Sequence, residues 1–302
     1  MKLVALHDAE KSTCYPNLAL MKLSAWHKAQ GDRVEVFMPM RADQYDVVYS
    51  SKVFTWTPDD PYLPAHTIKG GTGYGMTTDL PEEVEHICPD YALYGCDKSY
   101  GFLTRGCPNH CPWCIVPKKE GKIRAHADIE EFCRHKHVVL MDNNVLAHDH
   151  GIHQIEKMAG MGVRVDFNQG LDARRIDAAV ARKLAALKWT RYIRLACDQQ
   201  SQMPTVEKAV RNLREAGYRG DIFCYALVRD VAEALDRVEF LRSLGVNPYA
   251  QPYRDFENKV EPTSEQRAFS RWVNRKNIFK SVAWKDYTRK VQRHVGQLAL
   301  EG

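Results

Sequence analysis

The sequence predicts an α/β protein: a partial (β/α)6, TIM-like barrel, preceded by a small α/β unit and followed by basic helices. Between residues 100 and 256, apolar runs of strand length alternate with segments whose apolar residues recur at helical spacing. The first sixty residues show the same alternation on a smaller scale, and Lys and Arg outnumber acids after residue 257. Strands separated by helices of this length are parallel and joined by right-handed crossovers. Their chemistry therefore gathers at the strands' C-terminal ends.

Residues 1–99 form the small unit and its connection. Leu3-Val4-Ala5-Leu6 reads as a strand, Asn17 to Gln30 as a helix, and Val34-Glu35-Val36-Phe37 and Val47-Val48-Tyr49 as two more strands. Pro58, Pro61 and Pro64, then Gly70, Gly71, Gly73 and Gly75, mark an irregular link to the barrel. The glycine spacing fits neither the dinucleotide fingerprint nor Walker A, so a flexible turn is expected there.

The barrel is expected over residues 100–256. Gly101-Phe102-Leu103-Thr104 is a short strand ending at Arg105-Gly106, and Val138-Val139-Leu140-Met141 is a buried one. Val163, Val165 and Phe167 alternate with polar residues; Tyr192 to Cys197, Ile222 to Val228 and Val246 to Tyr253 complete six strands. Ile176, Val180, Leu184 and Leu187 share one helix face, as do Val206, Val210 and Leu213 between Pro204 and the stop at Gly217. Val231, Leu235, Val238, Leu241 and Leu244 line a third helix, closed by Gly245.

From Lys259 onward there are ten Lys/Arg against four acids, whereas the net charge of the whole chain is only +5. Attraction to a polyanion therefore belongs to the segment 257–302. Its Phe269, Trp272, Phe279, Trp284 and Tyr287 fit either a nucleic-acid grip or packing against the barrel. Helical spacing favours packing. The longest unbroken apolar run is Ile222 to Val228, too short to span a bilayer, and no signal-peptide core follows Met1. A cytoplasmic protein without a membrane partner is expected.

Nine cysteines with three inside eight positions argue for metal or redox chemistry rather than disulfides. The run Arg105-Gly106-Cys107-Pro108-Asn109-His110-Cys111-Pro112-Trp113-Cys114-Ile115-Val116-Pro117 places three thiolates at x3 and x2 spacing. Each can take one iron of a cubane cluster, which leaves the fourth iron without a thiolate and open to a ligand. Two other uses stand beside that one. A zinc site using His110 lacks a second cysteine pair, and an electron-transfer cluster lacks a nearby fourth cysteine.

The Cys-x3-Cys-x2-Cys spacing, with an aromatic before the third cysteine and a strand before the loop, resembles the radical S-adenosylmethionine (SAM) superfamily. The whole chain resembles small members of it with a short α/β front and a basic end. The resemblance implies a 4Fe-4S cluster on Cys107, Cys111 and Cys114 and SAM at the open iron. It also implies an external flavodoxin- or ferredoxin-like electron donor, and cleavage of SAM to a 5′-deoxyadenosyl radical that abstracts hydrogen from an unidentified substrate. Trp113 matches the position that borders the adenine. Asp142, Asn143 and Asn144 stand where many members carry Gly-Gly-Glu for the SAM amino group. Asn168, Asp172, Arg174, Arg194 and Asp198, at the ends of the third and fourth strands, complete the SAM-binding set that the resemblance implies.

The loop also resembles that of methylthiotransferases, whose three N-terminal cysteines hold a second cluster. Cys14, Cys88 and Cys96 lack the surrounding motifs, so one cluster per chain is expected, with an RNA-modifying relative of that branch as the alternative. The N-terminal unit sits where some members carry a cobalamin-binding domain. The Asp-x-His-x-x-Gly motif is missing, since Glu10 follows Asp8 at the histidine position. A zinc-dependent nucleic-acid-binding module is the alternative from another class. Lys118, Lys119, Lys122 and Arg124, just after the loop, either extend a basic mouth or cover the loop.

Overall fold

The computed structural model describes residues 1–10, 15–75, 79–255, 258 and 260–287. Its N-terminal sheet is built from β1 (Leu3–Asp8), β2 (Arg33–Val36), β3 (Val47–Ser51) and β4 (Ile68–Gly70), all parallel, in the order β2-β1-β3-β4. Helix α1 (Leu18–Ala29) links β1 to β2 and packs Leu20 and Leu23 on Val4 and Leu6. Asn17 starts it: its side-chain oxygen accepts from the Leu20 amide, filling one of the helix's open donors. Strand β4 lies within the segment expected to be irregular. Its three residues expose Ile68 and Lys69, so no buried face wrote a period into the sequence.

The six expected parallel strands follow, β5 (Ser99–Gly101), β6 (His137–Leu140), β7 (Arg164–Phe167), β8 (Ile193–Ala196), β9 (Ile222–Val228) and β10 (Asn247–Pro252), and a two-residue parallel strand, Lys188–Trp189, edges β7. β5-β6-β7 and β8-β9-β10 pair in chain order. A parallel bridge from Leu171 to Leu195 joins the two halves into one partial barrel, with the Leu171 amide donating to the Arg194 carbonyl at 2.7 Å. Helices α2 (Asp149–Met161), α3 (Ala178–Ala186), α4 (Met203–Glu215) and α5 (Val231–Ser243) cover the outside. Leu140, Val165, Ile193 and Leu195 form the core with Ile155, Met158, Leu184 and Val206 of those helices.

One strand expectation needs correction. The first barrel strand ends at Gly101, and Thr104–Arg105 leaves it to pair antiparallel with Arg124–Ala125. The apolar run of β9 alternates in burial. Ile222, Cys224, Ala226 and Val228 are buried, whereas Phe223, Tyr225 and Leu227 are half-exposed and line the barrel's cavity.

The basic segment packs, as its spacing suggested. Helix α6 (Ser264–Asn274) and α7 (Lys276–Ser281) bury Phe269, Trp272 and Phe279 against Ala226, Val228, Ala234, Val238 and Ala250. Asn274 clips α6 to the outer strand, accepting from the Ala250 amide and donating to its carbonyl, each at 2.9 Å. That satisfies backbone groups an edge strand would leave open. Arg271, Arg275, Lys276 and Lys280 face outward. Residues 288–302, with Arg289, Lys290 and Arg293, lie outside the described residues. Among the described residues, no helix is long and apolar enough to cross a membrane.

Glu85 ties the two sheets together. It accepts from Lys22 of α1 at 2.8 Å and stands 3.2 Å from His126, beside the short hairpin. Burial pushes its carboxyl up, but the bond from His126 and the charge and bond of Lys22 outweigh that and hold it down at about 2. Its contribution is therefore complete above its ordinary value of 4.5 and lost as pH falls through about 2. Glu85→Gln should lower the melting temperature at neutral pH, with the gap to wild type closing as pH falls below 4.5; thermal melts across pH test this. Trp272→Ala should cost about 3–5 kcal/mol in denaturant unfolding, because a fully buried indole leaves a cavity. A loss under about 1 kcal/mol would show that α6 is dispensable to the barrel.

Candidate cysteine-lined active site

The C-terminal ends of the six strands open into a cavity of about 960 Å³. Cys107, Cys111 and Cys114 line it together with Trp113 from the same loop. Asn143 and Asn144 reach it from the end of β6, Asn168, Asp172 and Arg174 from the end of β7, and Arg194 and Asp198 from β8 and its end. The residues proposed from sequence thus meet at one place, with one exception.

Asp142 is that exception. Its side chain is 4% exposed and does not line the cavity. One carboxylate oxygen accepts from the Thr104 amide at 2.6 Å, the Thr104 hydroxyl at 2.7 Å and the Leu103 amide at 3.0 Å. The carboxylate replaces the neighbouring strand that those amides would otherwise need, which is why β5 stops early. Burial pushes its pKa up to about 6 despite these bonds. Its work is structural.

A second carboxylate holds the other end of the loop. Glu120 accepts from the Gly106 amide at 3.0 Å, from Asn143 at 2.9 Å, and pairs with Arg105 at 3.1 Å. Gly106 has φ +80°, and a Cβ there would sit 2.2 Å from the Lys122 carbonyl oxygen, so only glycine fits. The Cys107 amide then donates to the Gly121 carbonyl, and the Cys114 amide to that of Cys111. Burial pushes the Cys111 and Cys114 thiols above their ordinary value, and neighbouring cysteines add to it. A metal that takes them as thiolates must displace their protons.

Asp172 joins the loop to the barrel. It accepts from Asn109 of the loop and from Asn144, each at 3.0 Å, and from Arg174 at 2.7 and 3.0 Å. Burial pushes its carboxyl up, but the bonds from Arg174, Asn109 and Asn144 hold it below the ordinary carboxylate value. Arg174 is therefore forked onto Asp172 in this structure. Arg194 is likewise forked onto Asp166, with a further bond to the Phe167 carbonyl at 3.2 Å. Neither guanidinium, read from sequence as fitted to a ligand carboxylate, presents a free fork.

Asn144 differs from the rest. It is 2% exposed, and its nitrogen donates to Asp172 and, at 3.5 Å, to the Cys107 sulfur. Both partners are acceptors, which fixes the amide's orientation. Its oxygen is buried with no partner, on a residue that lines the cavity. Leaving an acceptor so costs about 1–3 kcal/mol unless a ligand donor fills it.

At the far side, Asp198 accepts from the Leu227 amide at 3.0 Å, and burial pushes its carboxyl up. The fully buried Arg237 braces this corner through the Cys197 and Leu227 carbonyls at 2.7 and 2.8 Å. The Arg229 guanidinium stacks 4.6 Å from the Trp113 ring. Tyr192, Phe223, Tyr225 and Tyr249 form an aromatic wall, with neighbouring ring centroids 4.9–6.0 Å apart.

Sequence reasoning missed Glu120, Arg237, Asn109 and this wall. Glu120 had a signal, the one acid among Lys118, Lys119, Lys122 and Arg124.

No three His, Cys, Asp or Glu side chains among the described residues gather as a single-metal site requires, and His110 is exposed. A cubane asks for something else, one thiolate at each of three separate irons. Three thiols lining one cavity, with the Asn144 amide nitrogen 3.5 Å from the Cys107 sulfur, fit such a cluster. Cys88 and Cys96 are half-buried free thiols, and Cys14 lies outside the described residues.

Glu120→Ala should cost about 3–5 kcal/mol of stability, since Arg105 and the Gly106 amide lose a buried partner. Glu120→Gln should cost less, because an amide oxygen can still accept from Gly106. Denaturant unfolding of both variants checks the order, and equal losses would contradict it.

No protein-family model matches the sequence, and no curated protein matches it. Among solved structures, the chain is similar to Streptococcus suis SuiB bound to S-adenosylmethionine, at 10% identity and a TM-score of 0.44, covering 61% of this chain and 48% of that one. SuiB bound to the precursor peptide SuiA gives 12% identity and a TM-score of 0.43, covering 60% and 45%. The chain spans about half the length of these proteins.

Proposed function

We propose that the protein is a radical SAM enzyme. Cys107, Cys111 and Cys114 would hold a 4Fe-4S cluster in the barrel mouth, with SAM at the iron that has no thiolate. The observation that supports this is that the three thiols line one cavity at the strand ends with Trp113, Asn144, Asp172 and Asp198. Bound together, cluster and SAM supply reductive cleavage of SAM and hydrogen-atom abstraction from a substrate.

The chain's own residues position and shield. Asn144 accepts from the ligand's ammonium, and the Asp172 carboxylate behind it adds a favourable field. Trp113 offers its ring to the adenine, with Arg229 holding it by stacking. Asp198 faces the ribose hydroxyls, and Asn168 and the aromatic wall line the remaining space, where a substrate would lie. Residues 1–99, 100–256 and 257–302 act as front unit, catalytic barrel and basic C-terminal segment. An external one-electron donor supplies the reducing equivalent.

The test is anaerobic incubation of iron-sulfide-reconstituted protein with SAM and dithionite. It should release 5′-deoxyadenosine and methionine slowly without substrate, and Cys111→Ala should lose both iron and product. Asn144→Leu should keep its iron but bind SAM roughly tenfold or more weaker, the size of a lost hydrogen bond to a charged group. Protein that binds stoichiometric zinc, stays colourless on reconstitution and never yields 5′-deoxyadenosine would overturn the proposal.

A further inference from the structure

Helix α6 carries a group of cations that neither the core nor the cysteine-lined cavity uses. Arg267 and Arg271, with Arg275 just past the helix end, recur every four residues and so follow one face of it. Together with Ser270, Asn274 and Pro252 they line a recess of about 380 Å³. Pro252 and Asn274 also line the larger cavity that the three cysteines line, so the two spaces adjoin.

The unused hydrogen-bonding capacity of this recess is of one kind. Arg267 is held by Glu261 at 3.2 Å, and the Asn274 amide is spent at both ends on Ala250. Arg271 and Arg275 are exposed, and among the described residues no acid stands within ion-pair distance of either. Ser270 is 4% exposed, and its hydroxyl is buried with no partner, on a residue that lines the recess. A serine inside a helix commonly bonds the carbonyl one turn back, and this one does not. Two guanidiniums and a hydroxyl, all able to donate, ask for a group rich in acceptor oxygens.

Charge separates the anions that could answer. A carboxylate carries one charge and fills one guanidinium fork. Two guanidiniums on successive turns repel each other, so a single charge leaves that repulsion half relieved. A phosphate monoester brings a charge of roughly −2 at pH 7 and three acceptor oxygens, enough for both forks and the hydroxyl. A nucleic-acid strand would need cations repeated along its path. The path is not continued inward, since Arg174 and Arg194 of the cavity are held by Asp172 and Asp166.

We infer that the recess is a phosphate subsite, where Arg271, Arg275 and Ser270 hold the phosphomonoester end of a small substrate. From there the substrate's carbon skeleton enters the cavity past Tyr249 and Gln251 of β10. Anion binding stands on the recess alone; its use by the reaction rests on the radical SAM reading above.

Calorimetric titration of the full-length protein with phenyl phosphate tests the site, with benzoate as the singly charged control and a polyuridylate oligonucleotide as the polyanion. Phenyl phosphate should bind at one site per chain, and benzoate roughly tenfold more weakly. Arg271→Gln/Arg275→Gln should weaken phenyl phosphate by about tenfold or more, and Ser270→Ala by a smaller factor. The double variant should melt at the wild-type temperature. Once reconstituted, it should also release 5′-deoxyadenosine from SAM at the wild-type substrate-free rate, because neither arginine lines the cavity. Absence of saturable phenyl phosphate binding, or unchanged affinity in the folded double variant, would overturn the subsite. Oligonucleotide binding that phenyl phosphate cannot displace, and that the double variant loses, would assign the arginines to a strand and overturn it equally. Phenyl phosphate binding as expected, in a protein that never cleaves SAM, would support the subsite and overturn only its link to the reaction.

Discussion

A buried carboxylate with three donors on it sets the geometry of this protein. Asp142 captures the Leu103 and Thr104 amides and so ends the first barrel strand two residues sooner than its apolar residues would allow. The chain that leaves this point carries all three clustered cysteines. Glu120 fixes its return, so the loop is a closed arch pinned at both feet by carboxylates. Buried carboxylates are costly; Asp142 is held by two backbone amides and a hydroxyl, Glu120 by one amide, Asn143 and Arg105.

The arch leans on the barrel through Asp172, whose oxygens serve the loop, the end of β6 and its own Arg174. Most polar groups in the mouth are thereby satisfied within the protein, and Arg194 with Asp166 follows the same rule. Internal pairing of this kind keeps side chains in place before any ligand arrives. Against that background the unfilled Asn144 oxygen is the exception, and the proposed function assigns it a ligand donor. A neutral amide there, backed by a carboxylate one bond further out, supplies negative potential without two adjacent carboxylates having to share charge.

Much of this was legible in the sequence, for physical reasons. Five of the six barrel strands announce themselves by apolar runs, and the cysteine spacing is local in the chain. The gathering of Asn144, Asp172 and Asp198 at one mouth follows from parallel topology alone, since each ends or follows a strand. The exceptions share one cause. Asp142, Arg174 and Arg194 were read as facing a ligand, yet each is spent on a partner within the protein, a pairing that spacing does not reveal. β4 is too short and exposed to carry a period. Arg237 lay hidden inside a helix stripe, because a buried arginine and an exposed one look alike until its carbonyl partners are known. The basic tail was legible in kind: Phe269, Trp272 and Phe279, at helical spacing, are buried, and Arg271, Arg275, Lys276 and Lys280 beside them are exposed.

The central claim is that one cluster in the arch offers a single coordination position, beside Asn144, to SAM. Electron paramagnetic resonance of the reconstituted, reduced protein before and after SAM addition measures this most directly. The account predicts about four irons per chain, the signal of one reduced cluster, and a clear change in that signal when SAM is added. A cluster whose spectrum is indifferent to saturating SAM, or a chain holding about eight irons, would contradict it.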